Sequence, residues 1–398
     1  MRILILNDLV EHGGAEVQTF REAKLLRQQG HIVQVITLDP SFPLFYSAEH
    51  CNLPSTQNKL LRFLSRFFAF PGISRKLDQR IKRFMPDVIH INNSWNNCIS
   101  VFSLVSHYPA VQTIHDFSIV CPIGTCVKPN GRECSGFAFN NCLSRCGCSI
   151  LSFARYCGFI SMNYHRRKSI GAFIAPSQAL TSRANSNGFP TECLPNPIDV
   201  SFTRQRKIIS PIQTYLYYGY ISKMKGVPQL LEVWSTFSRQ TSTSAQLLIA
   251  GHIDTSYEAE FRESLDNTQY VHYLGHLSVQ EINDLYAQIY CVIVPSWIEN
   301  YPNTVLEALS HNTLVIGSTR GGITELIPDA RWLFDILSFD SFYACLERAA
   351  HISASEYQIV VEKGFTRVQV ENSPALFTQR LVSLFNGMNA TTKNRTGS

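Results

Sequence analysis

The chain of 398 residues is too long for one compact core and suits two domains of roughly 150 to 200 residues each. Its composition is 45% hydrophobic and 16% charged, without a low-complexity tract, which excludes a largely disordered chain. No apolar run approaches the roughly 18 to 20 residues that span a bilayer, the first residues (MRILILNDLVEH) lack a secretory signal, and the net charge is only +5. We therefore expect a cytoplasmic protein.

The first half of the chain has the pattern of an open parallel sheet. An apolar run from Arg2 to Asn7 is followed by a glycine pair, a helix-spaced apolar stripe, Gly30 and a second run from Ile32 to Leu38, which together predict a βαβ unit. The stripe consists of Val17, Phe20, Ala23 and Leu26. Further buried strands are predicted at Val88 to Ile91, Val111 to Ile114 and Ala172 to Ala175. We assign residues 1–190 to a first domain.

A second alternating series follows the string LPNPID at Leu194 to Asp199, whose two prolines predict a hinge loop. Two doubly wound parallel sheets facing each other would place a cleft outside the carboxyl ends of their strands, where open α/β sheets bind ligands. We assign residues 191–370 to a second domain, 371–386 to a closing helix and 387–398 to a disordered tail. The strands predicted here are Tyr215 to Tyr218, Leu247 to Ala250, Val271 to Leu274, Cys291 to Pro295, Leu314 to Ile316 and Trp332 to Phe334.

The segment from Lys59 to Phe84 holds eight basic residues against one acid, Asp78, interleaved with phenylalanines. This pattern is typical of contact with an anionic membrane surface. It fits equally an ordinary helix whose aromatic stripe packs into the core. We expect no nucleic acid, because no recognition helix or stacking sheet accompanies the charge.

A candidate ligand site follows the strand that ends at Pro295, where the sequence continues SWIENYPNTVLEALSHNTLVIG. Glu299 lies in a loop, Pro302 stands where a first helical residue would be, and Glu307 lies inside the helix. The N–H groups and positive dipole end of the helix start suit a diphosphate, and a carboxylate on each side can accept hydrogen bonds from hydroxyls. Two acids at this spacing are common by chance, so the prediction depends on the rest of the chain. The helix start consists of Tyr301, Pro302, Asn303 and Thr304.

Other short motifs occur in a fixed order along the chain: HGGAE at 12–16, PDVIHIN at 86–92, QTIHD at 112–116, APSQ at 175–178, LPNPID, GYISKMKG at 219–226 and GGITE at 321–325. In this order they resemble the family 4 retaining glycosyltransferases over nearly the whole chain. The resemblance implies a GT-B fold, in which two Rossmann-like α/β domains face a central cleft. It also implies an acceptor-binding first domain and a nucleotide-sugar-binding second domain.

The resemblance assigns roles to individual residues. It implies that Glu299 contacts the transferred sugar, that Glu307 contacts the nucleotide ribose, and that the helix start, Tyr301 to Thr304, belongs to the donor site. Gly13 and Gly14 allow a backbone approach to a phosphate or acceptor, and His115 is the cleft histidine near the sugar. Asp116 either orients His115 or caps the next helix.

The motif GYISKMKG departs from the family pattern, which has an arginine where this chain has Tyr220. Lys225 fits the family lysine that neutralises the leaving diphosphate, and Lys223 is the nearby residue that could compensate for the arginine. No cofactor is required for the implied transfer, since no Asp-x-Asp motif follows a strand.

Seven of the 12 cysteines lie in one loop, 121–157. Cys134, Cys142, Cys146 and Cys148 are candidates for a structural zinc site, although no paired C-x-x-C occurs. Scattered reduced thiols are the alternative, and disulfides suit a reducing compartment less well.

The resemblance thus implies a retaining hexosyltransferase that moves a sugar from a nucleotide diphosphate, with UDP the base-rate choice, to a glycan or lipid-linked acceptor of a cell-surface polysaccharide. The expected location is cytoplasmic, and it is the inner face of the plasma membrane if the basic segment from Lys59 to Phe84 contacts lipid. Two alternatives stay open: a nucleotide-sugar epimerase of the same fold, and a catalytically weak glycan-binding partner subunit, which Tyr220 favours.

Overall fold

The computed structural model describes residues 1–7, 14–37, 51–52, 59–92, 98–134, 136, 142, 146, 150–198, 212–241 and 244–396. The chain divides into two compact units, the first comprising residues 1–129, 134–197 and 374–398 and the second 130–133 and 198–373. The predicted boundary at 190/191 is therefore corrected to Pro197/Ile198. The reason is that Thr191–Cys193 forms the last strand of the first sheet.

The first unit contains a seven-stranded parallel sheet with the strand order β3-β2-β1-β4-β5-β6-β7. Its central strands are buried on both faces, as in other parallel sheets covered by helices, so buried and exposed residues do not alternate along them. All five strands predicted for this half are confirmed to within one residue at each end. The strands are β1 Arg2–Asn7, β2 Ile32–Thr37, β3 Cys51–Asn52, β4 Val88–Ile91, β5 Ala110–Thr113, β6 Ala172–Ala175 and β7 Thr191–Cys193.

Helices surround this sheet, and local signals set some of their ends. In the helix Pro71–Phe84, proline occupies the first turn, and Met85 ends the helix in a left-handed conformation with φ 48°. The hydroxyl of Ser177 caps another helix by accepting a hydrogen bond from the N–H of Leu180. The helices are α1 Gly14–Gln28, α2 Lys59–Leu64, α3 Pro71–Phe84, α4 Cys98–Val105, α5 Ile150–Ser169 and α6 Gln178–Ser186.

The C-terminal helix, Pro374–Thr396, belongs to the first unit. Its residues Phe377, Leu381 and Phe385 pack into the same core cluster as the strands of the first sheet. The helix continues past Gly387, which corrects the expected disordered tail at 387–398 as far as Thr396. Once this packing has formed the helix, extending it costs little, and residues 388–396 contain neither proline nor glycine.

The second unit contains a six-stranded parallel sheet with the order β10-β9-β8-β11-β12-β13. All six predicted strands are confirmed to within three residues at each end. The strands are β8 Ile212–Tyr218, β9 Ser244–Ala250, β10 Val271–Tyr273, β11 Cys291–Val294, β12 Leu314–Ser318 and β13 Leu333–Phe334. The helices are α7 Val227–Gln240, α8 Glu258–Asp266, α9 Val279–Leu285, α10 Asn303–Ser310, α11 Ile323–Leu326, α12 Phe339–Ala350 and α13 Ala354–Glu371, so the C-terminal helix is α14. These two parallel sheets with their helices form the two-domain Rossmann-like fold that the sequence predicts.

Candidate active site

The second sheet places two loops side by side at the carboxyl ends of neighbouring strands. Strand β8 is followed by the loop Gly219–Gly226, and its neighbour β11 is followed by the loop that carries Glu299. The connections change direction here, because β9 and β10 lie on the other side of β8. Open parallel sheets bind ligands at such a point.

Lys225 and Glu299, one from each loop, form an ion pair. The Nζ atom of Lys225 lies 2.5 Å from Oε1 of Glu299, and the hydroxyl of Ser296 donates to the same oxygen at 2.8 Å. The two charged side chains are 35% and 19% exposed, so a ligand can reach both. An ammonium group can neutralise a phosphate, and a carboxylate can accept hydrogen bonds from sugar hydroxyls. The pair therefore offers one group that suits a phosphate and one that suits hydroxyls.

Glycines hold the backbone of this pair in place. Gly226 has φ +72°, and a Cβ there would lie 1.8 Å from the carbonyl oxygen of Pro295. Gly321 has φ +59°, and a Cβ there would lie 2.1 Å from the carbonyl oxygen of Glu299. That oxygen accepts a hydrogen bond from the N–H of Gly322 at 2.9 Å. Only glycine fits either close approach, which explains both motif glycines.

The short segment Asn130–Glu133 belongs to the second unit, although the sequence assigns the whole cysteine-rich loop to the first domain. The carboxylate of Glu133 accepts a hydrogen bond from the N–H of Gly321 at 3.1 Å, and the carbonyl of Gly131 accepts one from Arg320 at 3.2 Å. Part of the loop therefore supports the backbone beside Glu299.

Glu307 lies in α10, close to two tyrosines. Burial, and to a smaller extent the charge of Glu307, raises the pKa of Tyr218 to about 12. The same two causes raise the pKa of Tyr286 well above its ordinary value. The hydroxyl of Thr304 in the first turn of α10 donates to the carbonyl of Tyr218 at 3.3 Å, which joins the helix start to the end of β8. Glu307 thus lies on the element that follows the Glu299 loop.

The other residues of the helix start have structural partners. Tyr301 is only 9% exposed, and its hydroxyl accepts a hydrogen bond from the amide of Asn372 at 2.9 Å. The helix begins at Asn303, with Pro302 as its N-cap, one residue later than predicted. The side chain of Tyr301 is therefore held by the amide of Asn372.

Lys223 is paired away from Glu299. Its ammonium group lies 2.5 Å from the carboxylate of Glu260, and the two side chains are 60% and 52% exposed. Tyr220, which stands in place of the family arginine, is 49% exposed, and its carbonyl accepts a hydrogen bond from the hydroxyl of Tyr217 at 2.7 Å. Lys225 is thus the cation that the structure places at the carboxylate of Glu299.

In the first unit, His115 follows β5 and contacts Asn92, which follows the neighbouring strand β4. Nε2 of the ring lies 3.1 Å from Oδ1 of Asn92. Burial, with a smaller effect from nearby His90, lowers the pKa of His115 to about 3, so the ring is neutral near pH 7. Asp116 accepts a hydrogen bond from the N–H of Ser118 at 2.8 Å and caps a short 3₁₀ helix, which confirms the predicted capping role.

The glycine pair is only half described. Gly13 lies outside the described residues, whereas Gly14 is the first residue of α1.

The predicted apolar stripe of α1 is partly wrong, because Val17 is 41% exposed. Polar side chains of α1, including Glu22, are buried instead.

Sequence reasoning missed a buried polar network that involves this helix. One carboxylate oxygen of Glu22 lies 2.6 Å from Nδ1 of His90, and Nε2 of that ring lies 2.7 Å from the hydroxyl of Thr113. The other carboxylate oxygen accepts a long hydrogen bond, 3.5 Å, from the amide of Asn92. The sequence did contain an indication of this network, because the polar residues His90 and Asn92 of PDVIHIN occur in and directly after a predicted buried strand.

Five cysteines line one small cavity of the first unit, together with Pro122 and Tyr156. The sulfur of Cys121 accepts hydrogen bonds from the thiol of Cys126 and from the N–H groups of Ile123, Gly124 and Cys126, which lower the pKa of Cys121 to about 5 against the opposing effect of burial. All five are free thiols. The five are Cys121, Cys126, Cys134, Cys142 and Cys146.

These cysteines only partly match the predicted zinc ligands. Cys134, Cys142 and Cys146 lie around the cavity, whereas Cys148 is outside the described residues. No three histidine, cysteine, aspartate or glutamate side chains in the described part of the chain form a group that could hold a metal ion. The zinc site stays a prediction.

The basic segment combines packed and exposed apolar residues. Helix α3 buries Leu77 and Ile81, whereas Leu60 and Phe68 are 63% and 62% exposed. A Cβ on Gly158 of α5 would lie 3.2 Å from Arg66, so α5 packs against this segment. Within the described ranges, no helix has both the length and the apolar character needed to cross a membrane.

Two family models match the chain. One, described as glycosyltransferase family 4, matches residues 12–202, and another, described as glycosyl transferases group 1, matches residues 202–356. A protein of the Klebsiella pneumoniae cps region is 24% identical over 86% of this chain and 92% of its own length. The lipopolysaccharide 1,2-N-acetylglucosaminetransferase of Salmonella typhimurium is 27% identical over 50% of this chain and 56% of its own.

Solved structures share the fold. Sucrose-phosphate synthase of Thermosynechococcus elongatus aligns with a TM-score of 0.74 at 15% identity, over 98% of this chain and 99% of that one. Anabaena HepE, crystallised with UDP and glucose, aligns with a TM-score of 0.73 at 15% identity, over 97% of this chain and 100% of that one.

Proposed function

Because this chain belongs to the family 4, group 1 glycosyltransferases, we propose that it transfers a hexose from a nucleotide-diphosphate donor to a glycan acceptor with retention of anomeric configuration. The observation that carries the proposal is the Lys225–Glu299 ion pair at the carboxyl ends of β8 and β11. This pair lies where parallel sheets bind ligands, and it supplies one group for a phosphate and one for a hydroxyl.

The second unit binds the donor. Its ammonium group at Lys225 binds the diphosphate, and the carboxylate of Glu299 binds hydroxyls of the sugar. In the protein alone these two groups neutralise each other at 2.5 Å, so donor binding exchanges one ion pair for two new contacts. Glu307 takes the ribose hydroxyls. A uridine donor is supported by Anabaena HepE, a protein of the same fold that was crystallised with UDP and glucose.

In the transfer step, the acceptor hydroxyl attacks the anomeric carbon on the face from which the diphosphate leaves. The new bond joins the anomeric carbon to the acceptor oxygen, the bond to the phosphate oxygen breaks, and that phosphate oxygen takes the acceptor proton. Lys225 stabilises the charge that develops on the diphosphate, an effect that is a large part of catalysis in such reactions. The proposed step requires neither a metal ion nor a covalent sugar–protein intermediate.

The first unit binds the acceptor, which we place among the growing chains of a cell-surface polysaccharide, carried on a lipid. The names of the relatives support this class, since they include a lipopolysaccharide N-acetylglucosaminetransferase and an O-antigen chain mannosyltransferase. The exposed apolar residues Leu60 and Phe68, within a basic segment, support contact with an anionic membrane that carries such an acceptor. His115 binds a sugar hydroxyl as a neutral ring.

The proposal is tested by incubating the purified protein with radiolabelled UDP-hexoses and UDP-N-acetylhexosamines, with and without a lipid-diphosphate-linked sugar acceptor. We expect one donor to give a labelled lipid product. NMR of that product should show that the transferred sugar has the same anomeric configuration as in the donor. Epimerised nucleotide sugar without transfer would identify the epimerase instead. An inverted product would contradict the retaining mechanism.

One observation favours a second candidate, the catalytically weak partner subunit. Lys223 is bound to Glu260, and Tyr220 stands where the family has arginine, so of the three motif residues 220, 223 and 225 only Lys225 forms an ion pair with Glu299. Replacing Tyr220 with arginine separates the two functions. A transferase that is merely slow gains turnover, about 10-fold or more, whereas a partner subunit shows tight donor binding and no turnover in either form.

A further inference from the structure

Two cysteines of the first unit, Cys121 and Cys126, form a thiol pair that the proposed function does not use. Both residues line the small cavity described above, and both are free thiols. Cys121 is half-buried, whereas Cys126 has no exposed surface. One residue of the thiol pair is therefore in contact with solvent, and the other is enclosed by protein. The inference below does not rest on the proposed transferase activity.

The backbone around the thiol pair is tightly turned. The N–H of Gly124 donates to the carbonyl of Cys121 at 2.9 Å, which closes a turn between the two cysteines. Cys126 then adopts a left-handed conformation with φ 49°, and its carbonyl accepts a hydrogen bond from the N–H of Cys134 at 2.7 Å. A residue with a β-carbon adopts this conformation only at a cost in free energy, and such strain is concentrated at functional sites. The strained turn brings the second cysteine to the same cavity as the first.

The two sulfur atoms of the thiol pair are hydrogen-bonded to each other. The thiol of Cys126 donates to the sulfur of Cys121, and the N–H groups of Ile123 and Gly124 donate to the same sulfur. The thiol of Cys134, at the same cavity, instead donates to the carbonyl of Gly136 at 3.4 Å. Cys126 is thus the thiol that the structure directs at Cys121.

These contacts give the two sulfurs different chemistry. Hydrogen bonds from the Cys126 thiol and from backbone N–H groups stabilise negative charge on Cys121, whereas the hydrogen bond to Cys121 and burial raise the pKa of Cys126. A half-buried thiolate reacts with peroxides, and a second thiol beside it converts the oxidised product to a disulfide. The cavity has room for only about one water-sized molecule, so the oxidant that fits it is small.

We propose that the thiol pair is a site of reversible oxidation, at which a small hydroperoxide such as hydrogen peroxide oxidises Cys121 and Cys126 then forms a disulfide with it. In the first step the sulfur of Cys121 attacks one peroxide oxygen, the O–O bond breaks and hydroxide leaves. The sulfur is thereby oxidised to a sulfenic acid, and the peroxide is reduced. In the second step the sulfur of Cys126 attacks the sulfur of Cys121 and the S–O bond breaks. The leaving hydroxide takes the proton of the Cys126 thiol and departs as water.

The test treats the reduced, full-length wild type with submillimolar hydrogen peroxide at pH 7. Remaining thiols are blocked with N-ethylmaleimide, the protein is reduced with dithiothreitol, and the thiols released are labelled with iodoacetamide and located by peptide mass spectrometry. We expect the intact mass to fall by about 2 Da, the loss of two hydrogens. The iodoacetamide label should appear at Cys121 and Cys126, and dithiothreitol alone should restore the original mass.

Three serine variants separate the two roles. In Cys126→Ser the second thiol is missing, so we expect a sulfenic acid at Cys121, which dimedone traps, and no disulfide. In Cys121→Ser the same dose of peroxide should leave Cys126 unmodified. The matched control is Cys134→Ser, the same change at the same cavity, which should form the disulfide as the wild type does. Thermal melts of the reduced variants show whether each one is folded, and the wild-type result needs no variant.

Several results would overturn the proposal. A disulfide that joins Cys121 to a cysteine other than Cys126 would show that the partner is wrong. Oxidation of Cys121 no faster than that of the half-buried Cys157 would show that the site is not selective. A glutathione adduct at Cys121, formed with oxidised glutathione as readily as the disulfide forms with peroxide, would show that the site does not select a small oxidant. Because none of these measurements uses a sugar donor, a protein without transferase activity would contradict only the proposed function.

Discussion

At the scale of single residues, His115 makes the stability of the protein depend on pH. In the unfolded chain the ring binds a proton below about pH 6.5, its ordinary pKa, whereas in the folded protein it does so only near pH 3. Acid therefore favours the unfolded state. Above pH 6.5 the ring is neutral in both states, and His115 does not change the free energy of unfolding with pH. As the pH falls from 6.5 towards 3, the free energy of unfolding decreases by at most about 1.4 kcal/mol per pH unit.

This effect is measured by urea unfolding of the wild type and His115→Asn at pH 7.5, 6.0 and 5.0. We expect the variant to lose stability less steeply with acid than the wild type, whatever its stability at pH 7.5. The exposed His272→Asn serves as control and should follow the wild type. Parallel curves for His115→Asn and wild type would show that the ring is not held neutral.

Cys121 provides a second prediction at this scale. Hydrogen bonds from the Cys126 thiol and from backbone N–H groups lower its pKa to about 5, so most of it is thiolate at pH 6. Thiolate is the form that reacts with alkylating agents. We expect iodoacetamide at pH 6 to modify Cys121 before the similarly half-buried Cys193, with the site identified by peptide mass spectrometry.

The variant Cys126→Ala removes the largest cause of the lowered pKa. It should slow the modification of Cys121 at pH 6 and leave its rate at pH 9 nearly unchanged. Equal rates at Cys121 and Cys193 in the wild type at pH 6 would contradict the assignment.

At the scale of elements, the junction of β8 and β11 depends on Gly226. Its φ is +72°, and a Cβ would lie 1.8 Å from the carbonyl of Pro295, whereas Gly275 has a nearly equal φ, +74°, and open space around it. We expect Gly275→Ala to cost about 1 kcal/mol, from the left-handed backbone alone. Gly226→Ala should cost more than about 3 kcal/mol, because the backbone must also move.

Chemical denaturation of the two glycine variants measures this difference, and donor binding reports its consequence. Gly226→Ala displaces Lys225, so it should also weaken UDP binding, whereas Gly275→Ala should leave the Lys225–Glu299 pair intact. Equal losses of stability in the two variants would show that the approach to Pro295 is not a constraint.

Much of the secondary structure could be predicted from the sequence. Strand Arg2–Asn7 contains the apolar run Ile3 to Leu6, and three of the four residues of Val88–Ile91 are apolar, so both buried strands could be located from their sequence. Helix α1 could not be predicted as well, since the burial of Glu22 depends on His90 and Asn92, which lie some 70 residues later in the chain. Likewise, Thr191–Cys193 is too short to recognise, and only its pairing with β6 places it in the first sheet.

The candidate site shows the same limit. The ordered family motifs identified both Glu299 and Lys225, but they do not predict that the two side chains form an ion pair, because their loops meet only after β8 and β11 pair. The partner of Lys223, Glu260, was likewise not visible in the sequence. Contacts between distant loops depend on the fold, whereas local motifs depend on a few neighbouring residues.

At the scale of the whole molecule, the proposed function requires the first unit to bind an acceptor that is carried on a membrane. Phe68 is 62% exposed in the basic segment, and each nearby basic residue contributes about 1 kcal/mol of attraction to an anionic surface. We expect the protein to sediment with vesicles of phosphatidylglycerol and phosphatidylethanolamine, to do so less at 0.5 M NaCl, and not to bind pure phosphatidylcholine.

Replacing Phe68 with serine should weaken this binding several-fold, because one large apolar contact is lost. Val370→Ser is the control, since Val370 is an equally exposed apolar residue of the second unit, at 63%. Equal binding by both variants and the wild type would place the membrane contact elsewhere or remove it.

The central claim is that the Lys225–Glu299 pair binds the sugar donor. It is tested most directly by measuring kcat/KM for the donor in the variant Glu299→Gln. This change keeps the shape of the side chain and removes its charge, and Glu258→Gln, in an exposed surface pair with Arg262, is the matched control. We expect Glu299→Gln to lower kcat/KM about 100-fold or more with an unchanged melting temperature, and Glu258→Gln to match the wild type. Wild-type kcat/KM in Glu299→Gln would contradict the account.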